Sequence, residues 1–264
     1  MSKSEGLRLR ANPIQFCSLF AALALAFVSA PSPGQTGSGD RYYGSANGLG
    51  VLGAYSWDSS HFLLGFAQNR KLVNIGVSYD RRLLRNHVVN WQYSGELMPV
   101  ALESDPVGSV AYAISSNTNP PLILLTGMEN AYFVGACHPA AGSGPVPNGT
   151  ESYTLSCTRR WTIGEALSPI GFQWNFLTAR KLQPLLDGHG GYMYSTQPIP
   201  VPEAGAFNFT FDIGAGFELF RSRSRSIRAE YRYHHISNHQ TAQENPGIDN
   251  GLLQVTYCFR LGRQ

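Results

Sequence analysis

The chain has 264 residues, 43% of them hydrophobic and 14% charged, with a formal net charge of +3. This composition excludes a disordered, collagenous or coiled-coil protein. Beyond the first ten residues 17 basic side chains stand against 16 acidic ones, which gives no electrostatic case for a nucleic-acid partner.

Residues 1–30 have the three parts of a secretory signal peptide: basic Lys3, Arg8 and Arg10, an uncharged apolar stretch over 16–30, and small Ser29 and Ala30. Val28-Ser29-Ala30 and Ala24-Leu25-Ala26 are rival cleavage sites. The apolar stretch falls short of the ~20 residues of a membrane helix, and no later run approaches that length. A membrane β-barrel escapes this test, because its strands need only about 9 to 11 residues each and alternate apolar with polar side chains. The expectation is export, then one barrel over 31–264 without a second domain.

Eight segments alternate in this way. The first, around 49–57, is the least regular. Next, Val73, Ile75, Val77 and Tyr79 oppose Asn74, Gly76, Ser78 and Asp80, and Val89, Trp91, Tyr93 and Leu97 oppose Asn90, Gln92, Ser94 and Glu96. Ile170, Phe172, Trp174 and Phe176 oppose Gly171, Gln173 and Asn175, and a weaker case over 182–194 puts Gln183, Asp187 and His189 on its polar side. The clearest is FNFTFDIGAGFELF over 207–220. The last two set Ile227, Ala229, Tyr231 and Tyr233 against Arg228, Glu230, Arg232 and His234, and Leu253, Val255, Tyr257, Phe259 and Leu261 against Gln254, Thr256 and Arg260. A strand with one apolar and one polar face explains each segment.

A soluble sandwich would not gather charge of both signs on one face of its strands, whereas an eight-stranded barrel can hold such groups inside as a hydrogen-bonded plug. The fold class is therefore all-β: an eight-stranded antiparallel transmembrane barrel with a polar interior. The joins alternate in length, short near 81–88, 177–180 and 221–226, long near 58–69, 101–168, 195–206 and 238–249. Short turns on one side and long loops outside the cell are the habit of outer-membrane barrels. The longest join, around 101–168, contains Cys137 and Cys157, which suit a disulfide in an oxidising compartment. Cys258 reads as a small semi-buried side chain.

Catalytic residue types are dense only in YRYHHISNHQTAQENPGIDNG, over 231–251. Continued parity puts His235 and Ser237 on the outward, lipid-facing side of the seventh strand, and Asp249 on the same face of the eighth. Polar side chains there are costly. Ser237 becomes a nucleophile once His235 removes its proton, and Asp249 can orient and stabilise the imidazolium. Asn238 and backbone N–H groups over 238–240, Gln240 among them, are candidate oxyanion donors. His234 falls on the inner face, and no cysteine or histidine spacing suggests a metal.

His235-x-Ser237-Asn238 followed by Asn245-Pro246-Gly247-Ile248-Asp249 resembles the signature of the PagL-type lipid A 3-O-deacylases, the outer-membrane acyloxyacyl hydrolases. The resemblance implies an eight-stranded barrel in the cell outer membrane that hydrolyses an ester-linked 3-hydroxyacyl chain of lipid A in lipopolysaccharide, without cofactor or metal. It gives His235 the base role, Ser237 the nucleophile's and Asn238 the oxyanion donor's. Asp249 stands where the best-known members carry glutamate, so Glu244 is the fallback acid. The rival reading is a non-catalytic small barrel with a structural or adhesive role; a soluble exported β-domain is a third. Lipid A and outer-membrane lipids are the expected partners, and a homodimer is left open.

Overall fold

A computed structural model describes residues 42–261; the segment expected as a signal peptide, 1–30, lies outside the described residues. Ten strands follow in chain order: β1 (Asn47–Ser56), β2 (Lys71–Arg85), β3 (Val89–Ser116), β4 (Ile123–Tyr132), β5 (Ala140–Val146), β6 (Gly149–Phe176), β7 (Leu182–Ser195), β8 (Phe207–Phe220), β9 (Arg225–Ser237) and β10 (Ile248–Leu261). Among the described residues the helical content is one 3-10 turn at Pro202–Ala204. Strands β1, β2, β3, β6, β7, β8, β9 and β10 form a continuous antiparallel ring, closed where β3 pairs with β6 and β1 with β10. The ring has eight members, as the alternation predicts.

Parity explains which way each side chain points. Along β8, Phe207, Phe209, Phe211, Ile213, Phe217 and Leu219 are exposed outside, while Asn208, Thr210, Asp212 and Glu218 are buried inside. Because side chains alternate strictly along a strand, a one-residue slip would put that whole polar set outside. Many members of the interior set pair with one another. Arg232 grips Glu96 through two 3.0 Å contacts and reaches Asp187 at 2.6 Å, His189 meets Asp212 at 2.9 Å, and Arg260 meets Glu218 at 3.4 Å. Buried ions persist only when partners replace their water. An apolar exterior around this charged plug is the polarity of a barrel surrounded by lipid.

At one end of the ring a small apolar cluster, including Leu52, Leu72, Met98, Met193, Ile236 and Ile248, caps the plug. The long connections emerge at this end and the short turns at the other.

One expectation needs correcting. The stretch around 101–168 is expected as a long loop, yet most of it is strand. β2 pairs with β3 no further than Ser104, and β7 with β6 no further than Gly164, while β3 and β6 continue together as far as Ser116 and Gly149. Flanked by β4 and β5, they make a four-stranded antiparallel sheet that leaves the ring. Its alternation is invisible in the sequence because both faces are open: Ile123, Leu124 and Leu125 are consecutive and all exposed. A disulfide joins Cys137 to Cys157, with Cα atoms 5.8 Å apart, bracing this sheet. Cys258 is buried and free.

Candidate active site at the outer rim

The site lies on the outside of the ring at the end where the long connections emerge. His235 and Asp249 are directly opposed in the β9–β10 register, and on the other side of β9 His235 opposes Phe211 and Ser237 opposes Phe209. Directly opposed side chains start about 5 Å apart at Cβ. This is why aspartate, one methylene shorter than glutamate, reaches the ring: His235 Nδ1 lies 2.6 Å from Asp249 Oδ1.

The Asp249 carboxylate is buried and collects further donors. Tyr233 Oη donates to Oδ1 at 2.8 Å, and the backbone N–H groups of Leu63 and Leu64 both donate to Oδ2 at 2.8 Å. A carboxylate held by four donors stays ionised and fixed in orientation. With Nδ1 engaged, the imidazole keeps Nε2 for chemistry. Gly247 has φ +62, a conformation that disfavours any Cβ, and a Cβ there would also lie 3.2 Å from His235 Cε1 and from Gly65 Cα.

Ser237 ends β9 on the same outward face, two residues beyond His235. Its Oγ accepts from the backbone N–H of His239 at 3.1 Å and from Asn245 Nδ2 at 3.4 Å. These contacts run to the loop and not to the imidazole. Such catalytic contacts are often loose before substrate binds and tighten in its presence. The loop turns through two successive left-handed residues, His239 (φ 50) and Gln240 (φ 61). Non-glycine residues rarely adopt this conformation, and here it aims the His239 N–H back at Ser237.

Phe209, Thr210, Phe211, His235, Ser237 and His239 line a groove of about 390 Å³. Its walls are mainly aromatic, and its polar atoms are those of the histidine–serine pair and their neighbours.

The residues expected as oxyanion donors make hydrogen bonds within the loop. Asn238 is buried, its Nδ2 donating to Ala204 O and Glu244 O and its backbone N–H to Asn245 Oδ1. Gln240 N–H donates to Asn238 Oδ1 at 2.9 Å. Both residues are committed to holding the loop. The donors standing at Ser237 are instead His239 N–H and the Asn245 amide. Glu244 is exposed and its backbone ties it to Glu203 O and Asn238, while the acid position beside the imidazole belongs to Asp249. Tyr233 was legible as a neighbour, two residues from His235 on one parity. Asn245 stood in the 245–249 motif without a role of its own, and residues 61–66 gave no signal, because loops carry no period.

Residues 148–257 match the family model described as lipid A 3-O-deacylase (PagL). The matched stretch covers all of β6 to β9 and the greater part of β10, with His235, Ser237, Asn245 and Asp249 inside it. The resemblance carried by the 235–249 motif is thus borne out. A solved structure titled "Crystal structure of the outer membrane enzyme PagL" is similar with a TM-score of 0.45 and 13% identity, covering 80% of this chain and 99% of that chain. No curated protein matches the chain.

Proposed function

We propose that this chain, which carries the lipid A 3-O-deacylase match across the strands of its candidate site, is a serine esterase of the outer membrane that removes an ester-linked acyl chain from lipid A. One observation carries the reading: a histidine held at 2.6 Å by a buried aspartate, with a serine on the same face, on the side of the barrel that meets lipid. Polar residues are expensive there unless they serve a purpose, and a substrate that is itself a membrane lipid reaches this face by lateral diffusion.

The steps follow from the geometry. The acyl chain lies along the aromatic groove of Phe209 and Phe211, bringing the ester carbonyl to Ser237. His235 Nε2 takes the Ser237 proton as Oγ forms its bond to the carbonyl carbon, and Asp249 stabilises the resulting imidazolium. The charge on the carbonyl oxygen is met by His239 N–H and Asn245 Nδ2, the two donors that hold Oγ in the resting site. The imidazolium returns its proton to the sugar oxygen as the C–O bond breaks, releasing deacylated lipid A. Water, deprotonated by the same imidazole, then attacks the acyl-serine and releases the fatty acid.

The test is mass spectrometry of lipid A incubated with the refolded protein and with Ser237→Ala. Loss of one hydroxyacyl mass with the first and not the second is expected. No loss from a folded wild-type barrel, on lipid A that retains its ester-linked 3-hydroxyacyl chain, overturns the reading.

A further inference from the structure

Residues 61–66, His-Phe-Leu-Leu-Gly-Phe, belong to the connection between β1 and β2 and contribute no strand to the ring. They are nevertheless bound to the site. Leu63 and Leu64 give both of the N–H bonds to Asp249 Oδ2, leaving Oδ1 for His235 and Tyr233. Phe66 N–H donates to Pro246 O at 2.6 Å, Ala67 N–H to Gly247 O at 3.0 Å and Ser60 N–H to Asp249 O at 3.3 Å. Gly65 passes so close that a Cβ there would stand 2.7 Å from Asp249 N and 2.9 Å from its Oδ1.

The ends of the connection are pinned independently. Ser59 Oγ donates to Ala67 O and accepts from Arg70 N, while Arg159 holds Asn69 through its Oδ1 and its carbonyl. Arg70, fully buried, pairs with Asp105 and reaches the carbonyl of Val134.

Between these anchors the side chains face outward. Phe62 is 71% exposed, Leu63 64%, Leu64 51% and Phe66 56%, with Phe62 tilted against Tyr233 and His61 stacked on Phe66. Four large apolar side chains in six residues form a patch that water disfavours. The patch continues the outward apolar surface of the barrel through Tyr55, Trp57, Tyr231 and Leu253, all exposed. Continuity with that surface identifies what covers it.

We infer that residues 61–66 form a strap whose side chains insert into the acyl layer of the membrane and whose backbone holds the Asp249 carboxylate in position for His235. The inference rests on the esterase reading for its consequence in turnover, and on geometry alone for the strap's placement. Lipid contact and acid orientation become one event, since the segment that meets the acyl chains also supplies half of the carboxylate's donors. Leu63 and Leu64 are positioning residues: they touch the acid and not the ester.

Two measurements on the refolded full-length protein test this without turnover. An environment-sensitive nitrobenzoxadiazole dye on Leu63→Cys, in phosphatidylcholine vesicles, should emit at shorter wavelength and be quenched at least twofold by acyl-chain nitroxide lipid. The same dye on Ser143→Cys of β5 should behave as in water. Water-like emission at position 63, or quenching only when a second copy or a soluble protein is added, overturns the insertion. In detergent micelles the low-field proton of His235 Nδ1, assigned by its loss in His235→Ala, should be present in the parent and lost in Gly65→Val; its persistence overturns the positioning role.

Turnover separates this inference from the reading beneath it. Gly65→Val should lower kcat about 10- to 100-fold with KM within twofold. Leu63→Ser with Leu64→Ser should lower turnover of vesicle-borne ester at least tenfold, and Leu63→Met with Leu64→Met should restore it. An inactive parent whose dye and proton signals behave as described would sink the esterase reading and leave the strap standing. An active parent matched by Gly65→Val would sink the strap and leave the esterase.

Discussion

Two histidine–aspartate pairs occupy opposite faces of the same barrel wall. Inside, His189 meets Asp212 at 2.9 Å, and the pair is enclosed by Arg232 at 3.6 Å from Asp212 and by Asp187 and Glu96 at 3.9 and 4.0 Å from His189. Outside, His235 meets Asp249 at 2.6 Å, with a tyrosine and two backbone N–H groups completing the carboxylate and a groove beside the imidazole. The chemical groups are identical. What differs is the remainder of each shell: the inner pair is surrounded by ions and sealed from the exterior, while the outer carboxylate is held by neutral donors and its imidazole faces a serine and an open apolar groove. The second imidazole nitrogen is enclosed by the plug in one pair and lies beside a groove in the other.

The largest expected contrast comes from the outer pair. Ser237→Ala and His235→Ala should each lower turnover by at least about 10³-fold, measured on lipid A, with the heat-modifiable mobility of the folded barrel unchanged. Asp249→Asn preserves shape but reverses hydrogen-bond polarity toward His235, and turnover should fall about 10²- to 10⁴-fold. Asn245→Ala removes one donor at Ser237 and should cost about 10²- to 10³-fold in kcat with little change in KM; unchanged kcat would return the oxyanion role to Asn238. On the inner pair the signs reverse: His189→Ala should destabilise the barrel by about 3–5 kcal/mol, read from urea unfolding in detergent, because it strips a partner from buried carboxylates. Turnover per folded barrel should stay within about twofold, in keeping with sites that do not share partners. Glu244→Gln is the smallest effect, under about twofold, as suits an exposed side chain; a large loss would move the acid role from Asp249 to Glu244.

Much of this was legible because a barrel wall forces strict parity. Phe207 to Phe220 displays it without exception of polarity up to Leu219, and the outward placement of His235 and Ser237 followed from Ile227, Ala229, Tyr231 and Tyr233 by counting in twos. Two kinds of feature were not legible. Beyond Gly108 the sheet of β3 to β6 has no buried face, so nothing constrains its residues to alternate, and it read as a loop. Donors from loops, Asn245 Nδ2 and the N–H groups of Leu63 and Leu64, depend on turn geometry and on backbone atoms that every residue possesses. The hydrogen bonds of the Asn238 side chain to Ala204 O and Glu244 O were hidden for the same reason, since both acceptors are backbone atoms of other loop residues.

The sheet that leaves the ring gives the molecule reach. β3 and β6 are each 28 residues long, which at about 3.3 Å per residue is ~90 Å of strand, against an apolar band only about 25 Å tall. Roughly half of that length rises as a mast, and its tip over 117–121 works at a different altitude from the groove at the rim. A peptide grafted into that tip would stand tens of ångströms from the rim, with the groove at the foot of the mast left untouched.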